Sequence, residues 1–524
     1  MPITDKIQDK LVKALEYHKL QNLAQAEILY KEVLEAAPDS DIALQFLGTL
    51  LLQTGKYSEA LECYLKALAF DAQNPELNYK AGFLFHQFGN LTKAIEHYNL
   101  VLQYIPDHAD TYYKLGLILH DNNQPEQAVN FYKKAIELNL INDEIYNNLG
   151  TALYLLNRID EALEYYKKAL DINPNNFSLY NRLGSAYQSK NDFQNAINYY
   201  YKAIEVNPEP FNYYSLSKAL LVTENFEKGW EYFESRIDTF DWHKLRFNPQ
   251  IIPKWTGQSL KDKKICIYYT GGNGDSILFA RYIPVLSSMG AKVVCAPQNS
   301  LIELFEQSDL KAEIISPDNL SVDTEFDYQL PLFSCGNSFE ITPENIPYKE
   351  SFLKTNPEKT KFYREKYFNN DKFKIGLCWQ CTNQPFDLRS IPLNYFYKLK
   401  NIENVELYSL QKDYGSEQIN TMPEDFKITS LGETFENFAD TAAAIENLDL
   451  VITIDTVIVH LAGALGKKTW ILIPFAPDWR WLLDRDDCIW YNSVNIMRQK
   501  EFGNWAELSD RLFDKLRDYT NNIL

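Results

Sequence analysis

The chain is short of positive charge. Its 52 Lys and Arg face 71 Asp and Glu, a formal net charge of −19 over 524 residues. That balance argues against wrapping nucleic acid or lying on an anionic membrane surface, both of which present dense negative charge. Long apolar runs are missing as well. The N-terminal MPITDKIQDKLVKALEYHKL lacks the apolar core of a secretory signal, and no stretch reaches the roughly 18–20 apolar residues that span a bilayer. The longest candidate, DLVITIDTVIVHLAGALG (449–466), is broken by Asp455 and His460. A cytoplasmic protein without a membrane span is the expectation. Cysteine is sparse and odd in number, seven in all, which excludes a disulfide framework of the secreted kind. Cys378 and Cys381 form CWQC, yet no second ligand pair follows at zinc spacing, and the loop TNQPFDLRSIP stands where a redox helix would begin. One strand cysteine, one loop cysteine and no metal are expected.

A chain of 524 residues is too long for one hydrophobic core, so several domains are expected. The first 208 residues repeat at one period. Gly48, Gly82, Gly116, Gly150 and Gly184 lie 34 apart, as do Ala26, Ala60, Ala94, Ala128, Ala162 and Ala196. Tyr30, Tyr64, Tyr98, Tyr132, Tyr166 and Tyr200 keep the same step, and Pro38, Pro106, Pro174 and Pro208 close four units. Small residues let two antiparallel helices approach, the tyrosine fills the gap to the next unit, and proline stops the second helix. The pattern resembles the tetratricopeptide repeat. It covers six units, the first degenerate with Ala14 in place of glycine. A seventh pair near 211–240 carries Trp230 at the alanine position and reads as a cap, which sets the array at 7–240.

The resemblance implies a concave face that binds peptides or partner proteins. Its groove positions read Gln45/Phe46, Tyr79/Lys80, Tyr113/Lys114, Asn147/Asn148 and Asn181/Arg182. Lys80, Lys114, Asn148 and Arg182 make a strip suited to a polar or acidic peptide; a solvated helix face is the other reading.

The segment FNPQIIPKWTGQSLKDKK (247–264) has no periodicity and reads as a linker, placed at 241–263. Strands and helices alternate after it, the pattern of parallel sheets with right-handed crossovers. KICIYY, KVVCA, AEIIS and DYQLPL are strands, with helices at ILFARYIPVLSSM and SLIELFEQ. A lysine-rich helix (357–368) precedes a second alternation: KIGLCW, VELYSL, FKITSL, DLVITI and TWILI as strands, LNYFYKLK, FENFADTAAAIENL and TVIVHLAGALG as helices. Two halves, 264–355 and 356–524, imply a cleft at the carboxyl ends of their strands.

In 449–481, Asp455 and Thr456 stand at a strand–helix turn and His460 one helical turn on, on the same face. An acid, a hydroxyl and an imidazole at a helix N-terminus suit a nucleotide's sugar and phosphates; a helix cap beside a core histidine is the bland alternative. Asp-Thr-x-x-x-His-Leu-Ala-x-Ala-Leu-Gly resembles the donor-site motif of the family 9, heptosyltransferase-like glycosyltransferases. The longer string through PDWRW, with PKWTG (253–257) and SLQ (409–411), is similar to bacterial proteins that fuse tetratricopeptide repeats to such a domain.

The resemblance implies a multidomain chain, an all-α tetratricopeptide solenoid followed by an α/β GT-B fold of two Rossmann-like halves. It implies inverting, metal-independent transfer of a sugar from a nucleotide donor, with no cofactor. Asp455, Thr456 and His460 would contact the donor, Arg389 its phosphates and Gln411 the base or ribose. Val457 stands where heptosyltransferases carry glycine. Arg389 pairing with Asp387 is the alternative for that residue, and Asp478, Trp479 and Arg480 would either close over the sugar or form a packing corner.

The loop TGGNGDS (270–276) holds Gly272, Asn273, Gly274 and Asp275. It matches neither G-x-G-x-x-G nor a P-loop and holds no basic residue. By resemblance Asp275 is the catalytic base, its glycines leaving room for substrates; capping a helix over 276–288 is the compatible alternative. The fusion leads to a protein acceptor recruited by the array. A non-catalytic scaffold and a glycan-directed enzyme are the other readings.

Overall fold

The structure, a computed structural model, describes residues 3–241, 245–320, 325–382 and 387–523. It divides into two compact units, Met1–Leu179 and Tyr180–Leu524. Part of the expected linker (242–244) and of the Arg389 loop (383–386) lies outside the described residues.

The first unit is built of helical hairpins: α1 (Ile3–Lys19) with α2 (Leu23–Ala36), α3 (Asp41–Gln53) with α4 (Tyr57–Leu68), α5 (Pro75–Gln87) with α6 (Leu91–Tyr104), α7 (Ala109–Asp121) with α8 (Pro125–Glu137), and α9 (Asp143–Leu155) with α10 (Ile159–Ile172). Three features set the period. Each inter-helix turn holds one residue in the left-handed region: Gln21, Gly55, Gly89, Asn123 and Asn157, at φ of 56–76°. A Cβ on Gly48, Gly82, Gly116 or Gly150 would come within 2.6–2.9 Å of the ring of Tyr64, Tyr98, Tyr132 or Tyr166. The buried tyrosine therefore lies first on the glycine of its own hairpin, where the sequence reading has it filling the gap to the next. Contacts onward are also made, as where Tyr30 stacks on Phe46 at 6.4 Å. Finally, α2, α6 and α10 stop two residues before Pro38, Pro106 and Pro174.

The second unit begins within α11 (Phe177–Ser189) and continues with α12 (Phe193–Val206), α13 (Pro210–Val222) and α14 (Phe226–Phe233). Here α13 and α14 start 33, not 34, residues after α11 and α12 (210 − 177; 226 − 193). One residue has been lost before α13. Gly229, not Trp230, therefore takes the small position, and Phe233 takes the aromatic one; a Cβ on Gly229 would meet Leu221 at 2.7 Å. Trp230 is freed to pack away from the hairpin. Its Nε1 donates to the Ile341 carbonyl at 2.7 Å, and its ring lies under Gly336 so closely that no Cβ would fit.

Two all-parallel sheets follow. The first has the order β3-β2-β1-β4, with β1 (Lys264–Tyr268), β2 (Lys292–Ala296), β3 (Glu313–Ile314) and β4 (Tyr328–Pro331). The second has the order β10-β9-β8-β5-β6-β7, with β5 (Phe373–Cys378), β6 (Val405–Ser409), β7 (Ile428–Ser430), β8 (Leu450–Ile454), β9 (Thr469–Ile473) and β10 (Val494–Arg498). The latter is the doubly wound order, reversing between β5 and β8. The first sheet reverses likewise between β1 and β4. Strand β10 goes beyond the sequence reading. LNYFYKLK forms a 3₁₀ helix (Leu393–Asn401), and ILFARYIPVLSSM is two helices, Asn273–Ala280 and Ile283–Ser288. The described part of the expected linker is ordered: Trp255 is buried, its N–H donates to the Gln329 carbonyl, and the Gln329 amide donates to the carbonyls of Phe247 and Ile252.

Candidate functional site

The loops at the carboxyl edges of both sheets border one cleft of about 650 Å³ within the second unit. Gly272, Asn273, Gly274 and Asp275 come to it from the loop after β1, and Asp455, Thr456 and His460 from the turn after β8. Arg389 and Gln411 enter from the loops after β5 and β6. These nine residues, singled out across some 190 positions of sequence, line the same space.

The helix carrying Asp275 starts at Asn273, three residues earlier than expected, so Asp275 sits inside its first turn. One carboxylate oxygen accepts the Gly272 N–H at 3.0 Å, the capping bond foreseen. The other pairs with Arg480. Gly272 and Gly274 line the cleft, and two glycines of the loop are also closely packed. A Cβ on Gly274 would stand 2.9 Å from Cδ2 of His460, and one on Gly271 2.9 Å from the Phe333 ring. Gly274 lets the helix Asn273–Ala280 lie directly against the helix Val457–Ala464, which brings Asp275 and His460 to one wall.

Arg480 is the hub. Besides Asp275 it binds Asp478 at 2.6 Å, and both it and Asp275 are largely withdrawn from water. Burial raises the Asp275 carboxyl above its ordinary range, against Arg480 and the Gly272 N–H, which pull it down. Asp455 is pushed up to about 6 by burial first and by Asp478 second, with Arg480 and Arg389 opposing. His460 is held well below its ordinary value by burial and by Arg480 and Arg281. Its ring is therefore neutral at pH 7, with Nδ1 3.2 Å from the Tyr491 hydroxyl and its plane stacked on Trp481 at 5.7 Å. A neutral imidazole offers a ligand a hydrogen bond and no charge. The cations lining the cleft are Arg389, Lys412 and Arg480. Sequence reasoning left Arg480 between two roles; the cluster of acids around it is the signal that only three dimensions display.

Arg389 does pair with Asp387, at 3.1 Å, while lining the cleft. Thr456 caps its helix, accepting the Ile458 N–H at 3.2 Å. Gln411 is buried and its amide is committed: Oε1 accepts the N–H groups of Trp379 and Gln380 at 3.0 Å, and Nε2 donates to the carbonyls of Gln380 and Tyr414. It clamps the β5 and β6 loops, a positioning role instead of the base or ribose contact expected. Cys378 ends β5 and is buried; Cys381 lies in the loop, its thiol 2.5 Å from Asp387. All seven cysteines are free thiols.

The groove residues divide between the units. In the first, Lys80 binds Glu76 at 2.7 Å and stands over Tyr64, Lys114 stands over Tyr113 and Phe83, and Asn148 donates to the Tyr113 hydroxyl at 2.9 Å. Arg182 belongs to the second. No helix among the described residues is long and apolar enough to cross a membrane.

Comparison with known proteins locates the repeats. Models of the tetratricopeptide repeat match residues 11–40, 75–140, 144–176 and 177–210, and a TPR repeat model matches 48–89. Protein FlbA of Caulobacter vibrioides is 25% identical over 328 residues, 57% of this chain and 54% of FlbA, so the chain spans about half the length of that relative. Among solved structures, YrrB, described as a TPR protein with an unusual peptide-binding site, is 24% identical over 35% of this chain and 94% of its own, with a TM-score of 0.32. MamA is 28% identical over 31% of this chain and 95% of its own, with a TM-score of 0.30. The N-terminal region of the chain is an array of tetratricopeptide repeats.

Proposed function

We propose that the second unit is a GT-B glycosyltransferase, inverting and independent of metal, which moves a sugar from a nucleotide donor to a protein held by the repeats. One observation carries the reading. A buried carboxylate after β1 and an acid–hydroxyl–imidazole set after β8 border one cleft, each at the point where its sheet reverses strand order.

In this reading the donor's diphosphate lies between Arg389 and the free N–H groups of the helix opening at Val457. Asp275 accepts the proton of the acceptor hydroxyl as its oxygen attacks the anomeric carbon. The raised basicity that burial gives Asp275 suits that step. Arg480, released from three neighbouring acids, is a second cation for charge that develops on the leaving diphosphate. The cytoplasm, where nucleotide sugars are made, is the compartment that fits this chemistry.

A second reading has support of its own. Asp275 is neutralised by Arg480 and the Gln411 amide is spent on the loops, which fits a tetratricopeptide scaffold with a silent α/β unit. Incubating the full chain with nucleotide sugars and candidate acceptor proteins separates the two. Transfer by the wild type, lost at least 100-fold in Asp275→Asn and reduced in His460→Ala, supports the enzyme; equal behaviour of all three sinks the site.

A further inference from the structure

Asp275 faces two spaces. Behind the cleft lies a second chamber of about 320 Å³ that shares Gly272, Asp275, Asp478 and Arg480 with it. A base that must meet a donor on one side and a hydroxyl on the other needs such a position. The chamber's remaining walls are aromatic: Phe233 stacks on Phe333 at 5.3 Å, Tyr214 leans on Phe233 at 5.5 Å, and Trp479 closes the side.

The outer wall is α13, the helix displaced by the lost residue. Tyr214 stands 33 residues after Asn181 (214 − 181), so it continues the groove series of Gln45, Tyr79, Tyr113, Asn147 and Asn181. One turn further along α13, Lys218 lines the chamber. Its ammonium, over the Tyr214 ring at 4.8 Å, makes no hydrogen bond or ion pair among the described residues. Burial pushes it below the ordinary lysine value, with Asp478 opposing. Half-buried in the chamber wall and without a carboxylate partner among the described residues, Lys218 is placed to take up an incoming anion.

We infer that this chamber is the acceptor subsite, and that Lys218 selects a polypeptide segment whose reacting Ser or Thr hydroxyl lies beside an Asp or Glu side chain. The assignment rests on the transferase reading above. The segment lies along the aromatic wall with its carboxylate on Lys218 and its hydroxyl toward Asp275. The hydroxyl oxygen forms the new bond to the anomeric carbon, the bond from that carbon to the diphosphate oxygen breaks with its electron pair leaving on the diphosphate, and the hydroxyl proton passes to Asp275. The repeat pair at 210–233 is then part of the site as well as the end of an array.

The test uses the full chain and three fluorescein-labelled peptides of equal length, alternating Ser-Asp, Ser-Asn and Ser-Lys, with binding read by anisotropy. Wild type and Lys218→Arg are expected to prefer Ser-Asp, Lys218→Ala to lose at least tenfold in affinity for it, and Lys218→Glu to lose it entirely, with melting temperatures confirming the fold. If Lys218→Glu does not fold, Lys218→Ala decides. Equal binding of Ser-Asp and Ser-Asn, unchanged binding by Lys218→Ala, or no binding of any peptide by the wild type overturns the inference. A parallel thermal-shift titration with nucleotide sugars separates the two readings. A donor that binds while the peptide preference is absent removes the acceptor subsite alone; a peptide preference without any donor binding removes the enzyme, and with it the role of acceptor.

Discussion

In the first unit charge stays outside; in the second it goes in. Lys66–Glu62 and Lys168–Glu164 are exposed pairs one turn apart on a helix, while Arg236 and Arg281 are wholly buried and Arg480 is nearly so. The interior of the first unit is filled by alanine, leucine and tyrosine at repeating positions. Exposed pairs contribute little to stability, whereas stripping a buried charge of its partner costs several kcal/mol. A fold that buries Asp275, Asp455 and Arg480 together carries a standing electrostatic cost that the repeats avoid, and such a cost is what binding and catalysis use.

The contrast can be broken most forcefully at Arg480. Arg480→Met leaves Asp275, Asp478 and Asp455 without their shared cation, and a loss of about 3–5 kcal/mol is expected in urea unfolding. An unchanged midpoint would mean that the cluster is not under strain. In the first unit the sensitive points are steric. Gly150→Val, whose Cβ would stand 2.7 Å from the Tyr166 ring, is expected to cost about 3 kcal/mol, the upper end of overpacking, read as a lower thermal midpoint.

Asp455 gives a pH signature. Its folded value, about 6, lies above the ordinary carboxylate value, so the folded state holds the proton more tightly. That contribution to stability is present below about pH 4 and is lost as pH rises through about 6. Asp455→Asn should flatten this fall and gain on the order of 3 kcal/mol at pH 7, the difference curve separating it from His460, whose depressed value acts in the opposite direction. The smallest effect is expected at the surface, where Glu62→Ala should leave the thermal midpoint essentially unchanged.

Much of this was legible in the sequence, for reasons that differ between the units. A 34-residue period leaves its glycines, tyrosines and prolines in plain view, because each hairpin solves the same packing problem with the same residues. The site's acids and its histidine could be read because they sit at strand–helix turns, where alternation fixes the edge of the sheet. Three things were hidden. The single residue lost before α13 shifts a degenerate pair by one, and with Trp230 so close to the small position the shift has no signature of its own. The meaning of Gly274 needs His460 beside it. The hub role of Arg480 depends on its pairs with Asp478 and with Asp275, some 200 residues away, and on the nearby charge of Asp455, and a guanidinium in PDWRW looks the same whether it binds one acid or two.

The claim on which the rest stands is that the cleft holds a nucleotide sugar against Asp275. Thermal shift of the full chain with UDP-, ADP-, GDP- and CMP-sugars tests it most directly. One of them is expected to raise the melting temperature of the wild type and of Asp275→Asn alike, and to raise that of Arg389→Ala and His460→Ala far less. No shift with any donor, or equal shifts in all four proteins, would contradict the account.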